Sequence, residues 1–322
     1  MAALAITVRR TPALDEALAR HLARIPTEFL SAGAPPTDPS AVRALLVGSL
    51  ERELPSLTPT TFPELRLVQS LFTGVDTVPF DRLGPEVKVA GNVGAYAPFV
   101  AEHAVALALA VAKAIPRNDA LARSGHLRPV ERTLQLAGGR ALIVGLGSIG
   151  REVARRLSGL GMSVEAVTRD GRPREGAGRS YSPEQLVEAV RGARVIVNCL
   201  PLTRRTRGLF GAAVFAAMGP GSIYINVGRA ETTEPEPLRE WLAREPSSGA
   251  GIDVWWHEEF ASGRLPEPFP LAPLANLVAS PHVAGHGEEA TRAGYDSALA
   301  NLAAFFAGRP VKGVVDRAEY QD

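Results

Sequence analysis

The feature that most constrains this chain of 322 residues is the glycine-rich segment Gly145-Leu-Gly-Ser-Ile-Gly150 together with its flanks. Residues 141–144 are an apolar run that predicts a buried parallel strand. Residues 151–160 predict a helix, and residues 163–168 predict a second strand. A strand, a glycine turn, a helix and a further strand form the unit that places a pyrophosphate at a helix N-terminus. The sequence therefore predicts a dinucleotide-binding site.

Each glycine in the segment has a separate role in such a site. Gly145 allows the tight turn, Gly147 lets the backbone approach the phosphates, and Gly150 lets helix and strand pack closely. Ser148 and Ile149 lie between these glycines and are assigned to the cofactor site with them. Glycine-rich turns also occur by chance, so the prediction depends on the strand and helix on either side.

The end of the second predicted strand selects the cofactor. An NAD site carries an acidic residue roughly 20 residues after the glycines, where it binds the ribose hydroxyls. Thr168 and Arg169 occupy this place, with Arg172 and Arg174 close behind. Arginine offers a planar, permanently charged group to a 2′-phosphate. The pattern favours NADP(H) over NAD(H), although Asp170 offers an alternative ribose ligand.

The rest of the chain alternates predicted strands and helices, which is typical of parallel sheets covered by helices. Because the glycine segment arrives only after about 140 residues, a separate α/β domain must precede it. We therefore predict an α/β protein with two Rossmann-like or flavodoxin-like domains and doubly wound parallel sheets. Further strands are predicted at residues 6–8, 45–48, 65–69, 195–200, 222–227, 249–254 and 277–280. Further helices are predicted at residues 14–25, 101–115 and 288–307, with another starting at Ser182.

Composition excludes several classes of function. The formal net charge is +1 with both signs interspersed, so no nucleic-acid partner is expected. The N-terminus lacks a long apolar segment, so neither secretion nor a membrane span is expected. Cys199 is the one cysteine, which excludes an intrachain disulfide and favours a cytoplasmic location. His282 and His286 have metal-ligand spacing, but no third ligand is evident, and no metal is predicted.

Three polar residues follow the later predicted strands, at the sheet edge where such folds bind ligands. Arg229 offers a guanidinium that binds a carboxylate and polarises an adjacent carbonyl. His282 offers an imidazolium that protonates a carbonyl oxygen as hydride reaches the carbon. Glu258 offers a carboxylate that favours the charged form of a neighbouring histidine. Taken singly, Arg229 and Glu258 are better explained as structural or solvated loop residues, and His282 is explained equally well as a loop histidine. Their coincidence on successive strand ends points to hydride transfer.

With these residues in place, the chain resembles the D-isomer-specific 2-hydroxyacid dehydrogenase family over almost its whole length. The resemblance rests on six ordered motifs. They are Val68-Gln-Ser-Leu-Phe-Thr-Gly-Val-Asp76, Asn92 to Tyr96 with Ala101-Glu-His103, Leu200-Pro-Leu-Thr-Arg-Arg-Thr206, Ile225-Asn-Val-Gly-Arg229, Asp253-Val254 leading to Glu258, and Ser280-Pro-His282. The chain departs from the family pattern at Ala230, where glycine is usual, and at Glu259, where proline is usual. Which of Glu258 and Glu259 faces His282 therefore stays open.

The resemblance implies roles for further residues and an organisation for the chain. It implies a substrate-binding domain of residues 1–99 and 287–322, a dinucleotide-binding domain of residues 100–286, and an active site in the cleft between them. It also implies a homodimer formed through the nucleotide domains. The implied substrate-binding residues are Gly74, Val75, Asn92 and Tyr96. The implied additional cofactor-binding residues are Pro201, Thr206, Val227, Asp253 and Gly285.

The function implied is hydride transfer between NADP(H) and a 2-keto acid or D-2-hydroxy acid, with Arg229, Glu258 and His282 as catalytic residues. Glyoxylate and hydroxypyruvate are the substrates that this resemblance leads us to expect first. Two alternatives stay open from sequence. One is a nicotinamide-dependent sensor with little turnover, and the other is a dehydrogenase of an unusual donor such as phosphite.

Overall fold

The structure, a computed structural model, describes residues 1–31, 33–55, 57–127, 133–258 and 274–321. It divides into two compact units, Met1–Tyr96 with His286–Asp322, and Ala97–Gly285. The strands are β1 Leu4–Ile6, β2 Thr27–Phe29, β3 Ala44–Val47, β4 Leu67–Ser70, β5 Lys88–Ala90, β6 Arg140–Val144, β7 Ser163–Val167, β8 Ser180–Tyr181, β9 Val195–Asn198, β10 Ile223–Asn226, β11 Gly249–Ile252 and β12 Leu277–Ala279. The α-helices are α1 Pro12–His21, α2 Leu50–Glu53, α3 Ala97–Ala112, α4 Ile115–Arg123, α5 Ser148–Gly159, α6 Leu186–Ala189, α7 Ala212–Ala217, α8 Pro235–Arg244 and α9 Glu288–Phe306.

The first unit is a five-stranded parallel sheet in the order β2-β1-β3-β4-β5. This is the flavodoxin-like order of a doubly wound sheet. All residues of β1, β3 and β4 are buried, as expected for parallel strands covered on both faces. Thr11 caps helix α1, since its hydroxyl accepts a hydrogen bond from the N–H of Leu14, and the helix packs against α9.

The second unit is a seven-stranded parallel sheet in the order β12-β11-β10-β9-β6-β7-β8. Counted from β6, this is the Rossmann order extended by one strand, and the winding direction reverses between β6 and β9. Helix α3 packs on one face against β10 and β11. An aromatic cluster fills the core on the other face, formed by Phe210, Phe215, Tyr224 and Trp241.

The predicted fold class is confirmed, while several element boundaries differ. The first strand lies at residues 4–6 rather than 6–8, and α5 begins at Ser148 rather than Arg151 because the glycine turn feeds directly into it. The two-residue strand β8 was not expected and becomes the seventh strand in the described part of this sheet. The capping box predicted at Ser182 is present, and it starts a 3₁₀ turn that leads into α6.

Two residues beyond the end of α3, the backbone of Ala114 takes a left-handed conformation, with φ 47°. Helix α4 then continues at an angle of 60°. Among the described residues, no single helix is long and apolar enough to cross a membrane. The bent pair of α3 and α4 together has the length and apolar composition of a membrane span, and those two properties are the whole of the similarity.

Candidate active site

The glycine turn connects β6 to α5 and leaves the start of the helix open. Gly145 has φ 95°, a conformation that favours glycine. A Cβ at Gly150 would collide with the carbonyl oxygen of Gly145, whereas none of the described atoms lies within 4 Å of a Cβ at Gly147. No side chain caps α5 at its N-cap residue, Gly147. The first amides of a helix have no intrahelical partner, so this end suits the pyrophosphate of a dinucleotide.

The end of β7 holds the residues expected to select the cofactor. Thr168 is buried and Arg169 is exposed. The Asp170 carboxylate accepts hydrogen bonds from the N–H of Arg172 at 3.2 Å and from Arg174 Nη2 at 2.9 and 3.1 Å. The Arg172 N–H and then the Arg174 guanidinium hold the pKa of Asp170 below its usual value. The one carboxylate at this strand end is therefore already engaged by its own loop.

The loops after β9 and β10 lie against the glycine turn. A Cβ at Gly145 would lie 3.1 Å from Leu200 Cδ2, and a Cβ at Gly228 would collide with the Leu200 carbonyl oxygen. Beyond Leu200, the Thr206 hydroxyl donates to the Pro201 carbonyl at 2.6 Å and closes a tight turn. Pro201, Thr206 and the residues beside Gly228 therefore share one edge of the sheet with the glycine turn.

Arg229 follows β10 and begins a 3₁₀ turn, Ala230–Thr232. Its carbonyl oxygen accepts hydrogen bonds from the Thr232 hydroxyl at 2.7 Å and from Asn226 Nδ2 at 3.2 Å. Its guanidinium Nη1 donates to the Gly228 carbonyl at 3.0 Å. Because Asn226 and Thr232 are fully buried, they hold the backbone of Arg229 in one place while its side chain remains half-buried.

Glu258 and His282 meet across the ends of β11 and β12. His282 Nδ1 lies 2.8 and 2.7 Å from the two carboxylate oxygens of Glu258. Glu258 Oε1 also accepts a hydrogen bond from the N–H of Trp255 at 2.7 Å, and Trp255 Nε1 donates to the Ser280 carbonyl at 2.9 Å. The indole thus ties the two loops together. The structure pairs Glu258 with His282, and Glu259 lies outside the described residues.

Asp253, predicted as a cofactor ligand, is 1% exposed and bonds to the chain itself. Its carboxylate accepts from the N–H groups of Val283 and Ala284, both at 2.9 Å, and from the Ser280 hydroxyl at 2.6 Å. His103 Nε2 lies 3.4 Å from the same carboxylate. Burial by itself raises the pKa of Asp253. The hydrogen bonds from His103, Ser280 and the two amides lower the pKa by more than burial raises it, so the pKa lies below its usual value.

The predicted substrate-binding residues lie in the first unit, after β4 and β5. Among the described residues, none accepts a hydrogen bond from the N–H of Gly74 or Val75. Asn92 is buried, and its amide donates to the carbonyls of Leu71 at 2.8 Å and Gly294 at 2.9 Å. The Asn92 amide therefore supports the loop that follows β4. Burial and then the nearby phenol of Tyr295 raise the pKa of Tyr96 to about 12.

Sequence reasoning gave no role to four residues that support this site: His103, Asn226, Trp255 and Ser280. His103, Asn226 and Ser280 lie in motifs that carried the family resemblance, and His103 is also a polar residue in an otherwise almost wholly apolar helix. Within the described ranges, no group of three or more histidine, cysteine, aspartate or glutamate side chains is placed to hold a metal ion.

The chain is similar to known proteins over almost its whole length. Residues 105–284 match the NAD-binding domain of D-isomer specific 2-hydroxyacid dehydrogenases. The chain is 30% identical to a glyoxylate/hydroxypyruvate reductase of Arabidopsis thaliana over 95% of each chain. A D-isomer specific 2-hydroxyacid dehydrogenase from Xanthobacter autotrophicus Py2, solved with NADPH and MES, superposes with a TM-score of 0.84 at 28% identity over 99% of each chain.

A second solved structure matches almost the whole chain as well. The NADPH-dependent glyoxylate/hydroxypyruvate reductase of Sinorhizobium meliloti, solved with NADP and malonate, has a TM-score of 0.79 at 27% identity. The superposition covers 99% of this chain and 98% of that one. By these matches, the chain belongs to the family of D-isomer specific 2-hydroxyacid dehydrogenases.

Proposed function

We propose that this NAD(P)-dependent oxidoreductase reduces a small 2-keto acid, such as glyoxylate or hydroxypyruvate, to the D-2-hydroxy acid with NADPH. The observation that carries the proposal is the pair formed by His282 and Glu258, with Nδ1 2.7 and 2.8 Å from the two carboxylate oxygens. Relatives named as glyoxylate or hydroxypyruvate reductases support the substrate class.

The proton in this reaction comes from His282. Nicotinamide, when bound, supplies the hydride that becomes the new C–H bond at the carbonyl carbon. His282 gives the proton on Nε2 to the carbonyl oxygen, so that the hydroxyl forms without a free alkoxide. Glu258 holds Nδ1 by a charge-assisted hydrogen bond, and this orients the ring and stabilises its positive charge before transfer. In the reverse direction, neutral His282 accepts the proton.

Arg229 and the loop after β4 hold the substrate. The guanidinium of Arg229 binds the carboxylate and polarises the carbonyl to be reduced. The N–H groups of Gly74 and Val75 donate to none of the described residues, and we propose that they donate to the substrate carboxylate. Asn92 contributes by holding the loop that carries them, and Tyr96 packs beside Phe72 with ring centroids 6.2 Å apart.

The cofactor is held by the second unit, for which we propose the domain limits 100–286, with residues 1–99 and 287–322 as the substrate-binding domain. The amides of Ser148, Ile149 and Gly150 take the pyrophosphate at the start of α5. The further contacts come from Pro201, Thr206, Val227, Asp253 and Gly285.

A preference for NADPH over NADH follows from the end of β7. A 2′-phosphate meets Arg169, while the Asp170 carboxylate that would repel it is held by Arg174. Arg169→Ala should raise the Kd of NADPH at least tenfold and leave the Kd of NADH within twofold. Asp170→Ala should change the Kd of NADH little. Equal losses for both cofactors with Arg169→Ala, or a loss of NADH binding with Asp170→Ala, would overturn this preference.

The activity is tested by following NADPH oxidation at 340 nm with glyoxylate, hydroxypyruvate, pyruvate, 2-ketoisocaproate and phenylpyruvate, each repeated with NADH. We expect turnover with at least one keto acid and faster turnover with NADPH. His282→Asn should lower kcat by roughly 10²–10⁴-fold while NADPH still binds. His126→Asn, an exposed histidine after α4, is the matched control and should behave as wild type. Tight NADPH binding with no turnover across the panel would refute the proposal.

We further propose a homodimer formed through the dinucleotide-binding domain and a cytoplasmic location. Light scattering after gel filtration tests the first, with a mass near twice 34.1 kDa expected. A mass equal to one chain at micromolar concentration would refute it. Fractionation of the source cells tests the second, and recovery with the membrane fraction would refute that location.

A further inference from the structure

A hydrogen-bonded chain of three side chains lies beneath the loop that carries His282. His103, on α3, has Nε2 2.8 Å from the Ser280 hydroxyl oxygen, and Ser280 lies 2.6 Å from Asp253 Oδ1. Asp253 is 1% exposed, and His103 is one-quarter exposed. Neither His103 nor Ser280 has a role in the reaction derived above. All three residues belong to the dinucleotide-binding unit.

The direction of these hydrogen bonds is fixed by chemistry. The Asp253 carboxylate is an acceptor only, so the single hydroxyl proton of Ser280 points to it. Ser280 must therefore accept from His103, which requires a proton on Nε2. The order of donation is His103 to Ser280 to Asp253, and the Nε2 proton also faces Asp253 Oδ1 at the longer distance of 3.4 Å. His103 must carry this proton whether the ring is neutral or charged.

The loop above this chain is conformationally demanding. His282 has φ 54°, a left-handed conformation that is disfavoured for a residue with a Cβ and persists only where surrounding contacts impose it. Three hydrogen bonds impose this conformation. The N–H groups of Val283 and Ala284 donate to the Asp253 carboxylate, and the N–H of His282 donates to the Ser280 carbonyl at 3.1 Å. Asp253 and Ser280 thus hold the loop on both sides of His282.

We propose that His103 is a positioning residue for the proton transfer. By donating through Ser280 to Asp253, it fixes the loop of residues 280–284, and with it the orientation in which His282 meets Glu258. This inference rests on the proposed role of His282 as the acid. Among the described residues, the hydrogen-bonding partners of His103 are Ser280 and Asp253, so it acts on His282 through the backbone of the loop.

Two substitutions of His103 distinguish the effect of its hydrogen-bond donor from the effect of its side-chain volume. His103→Leu keeps the volume and removes the donor, whereas His103→Gln places an amide N–H close to the position of Nε2. His103→Leu should lower kcat by roughly 2- to 13-fold, the loss of one hydrogen bond to a neutral hydroxyl, while the Kd of NADPH and the KM of the keto acid stay unchanged. His103→Gln should restore wild-type kcat. Glu102→Gln, an exposed neighbour on α3, is the matched control and should show no effect.

If His103 positions the acid, its substitution should slow the chemical step itself. With 4-deuterated NADPH, the primary isotope effect on kcat should increase in His103→Leu and return to the wild-type value in His103→Gln. Ser280→Ala should lower kcat by a similar factor, and the double variant His103→Leu/Ser280→Ala should lose no more than the worse single variant, because both residues belong to one chain of hydrogen bonds. Full additivity of the two losses would overturn the proposal.

A measurement that needs no turnover completes the test. The amides of Val283 and Ala284 should exchange with deuterium at least tenfold faster in His103→Leu than in wild type, and at the wild-type rate in His103→Gln. If His282→Asn is inactive but His103→Leu has wild-type kcat and exchange, the positioning role is wrong and the proposed function stands. If wild type reduces no keto acid, the proposed function fails, and exchange alone decides whether His103 holds the loop.

Discussion

Two alanine substitutions three residues apart in the glycine turn should have opposite effects on stability and on cofactor binding. A Cβ at Gly150 would collide with the carbonyl oxygen of Gly145 and lie 3.1 Å from Ile143 Cγ2. At Gly147, no heavy atom of the described residues lies within 4 Å of the same position. The backbone of Gly147, with φ −77° and ψ −157°, is extended and open to alanine.

The magnitudes follow from these contacts. A methyl group forced into a packed site costs about 1–3 kcal/mol. The unit that contains Gly150 has about 190 residues, and in a domain of this size each kcal/mol lowers Tm by roughly 2–4 °C. Gly150→Ala should therefore lower Tm by roughly 2–12 °C. Gly147→Ala should change Tm by less than about 2 °C, since substitutions outside packed sites stay within roughly 0.5 kcal/mol.

Cofactor binding should respond to Gly147 instead. Its methyl group would fill the open space through which a phosphate approaches the start of α5, and the same cost of about 1–3 kcal/mol raises the Kd of NADPH roughly 5- to 150-fold. Thermal melts of both variants without cofactor, followed by fluorescence titration with NADPH, measure the two effects separately. An unchanged Kd in Gly147→Ala, or an equal loss of Tm in both variants, would refute the assignment of these glycines.

Three further predictions concern single side chains. Glu258→Gln should lower kcat about 10- to 150-fold with NADPH binding unchanged, because a charged hydrogen bond worth roughly 1.5–3 kcal/mol is lost from His282; a kcat within twofold of wild type would contradict the pairing. Arg229→Lys should raise the KM of the keto acid at least tenfold in steady-state assays, since lysine cannot make a two-pronged contact; an unchanged KM would exclude that contact. Tyr96 ionises at a pKa of about 12 when folded and near 10 when unfolded, so its stabilising effect is complete below pH 10 and is lost as pH rises to about 12, by roughly 2–3 kcal/mol. Urea unfolding of wild type and Tyr96→Phe at pH 9 and 11.5 tests this, and parallel behaviour of the two proteins would contradict it.

Strong local signals made much of the fold predictable from the sequence. The glycine segment and the apolar run before it identified β6 and α5, and the predicted strands at 195–200 and 222–227 became β9 and β10. Short strands escaped prediction for a physical reason. β8 has two residues and β5 has three, one of them the exposed Lys88, so neither is long enough to show a periodic pattern.

The residue types of the proposed site could be singled out from the sequence, but their supporting contacts could not. Arg229, Glu258 and His282 were recognisable because each follows a strand and carries a reactive group. The choice between Glu258 and a neighbouring carboxylate depends on loop conformation, which sequence spacing does not fix. His103 is about 180 residues from Ser280, and contacts at such separations arise from the packing of α3 on the sheet.

The strand order explains why binding and proton transfer should be separable by mutation. The winding of the second sheet reverses between β6 and β9, and a crevice opens at such a reversal where a dinucleotide binds. The glycine turn lies at this point, whereas Glu258 and His282 follow β11 and β12 at the far edge of the same sheet. The glycine turn and the pair formed by Glu258 and His282 are therefore anchored by different strands. No hydrogen bond joins them among the described residues. It follows that variants of Glu258 or His282 that keep NADPH affinity report on the proton, whereas a variant that also lost that affinity would have disturbed the cofactor contacts proposed at Asp253 and Gly285 in the same loops.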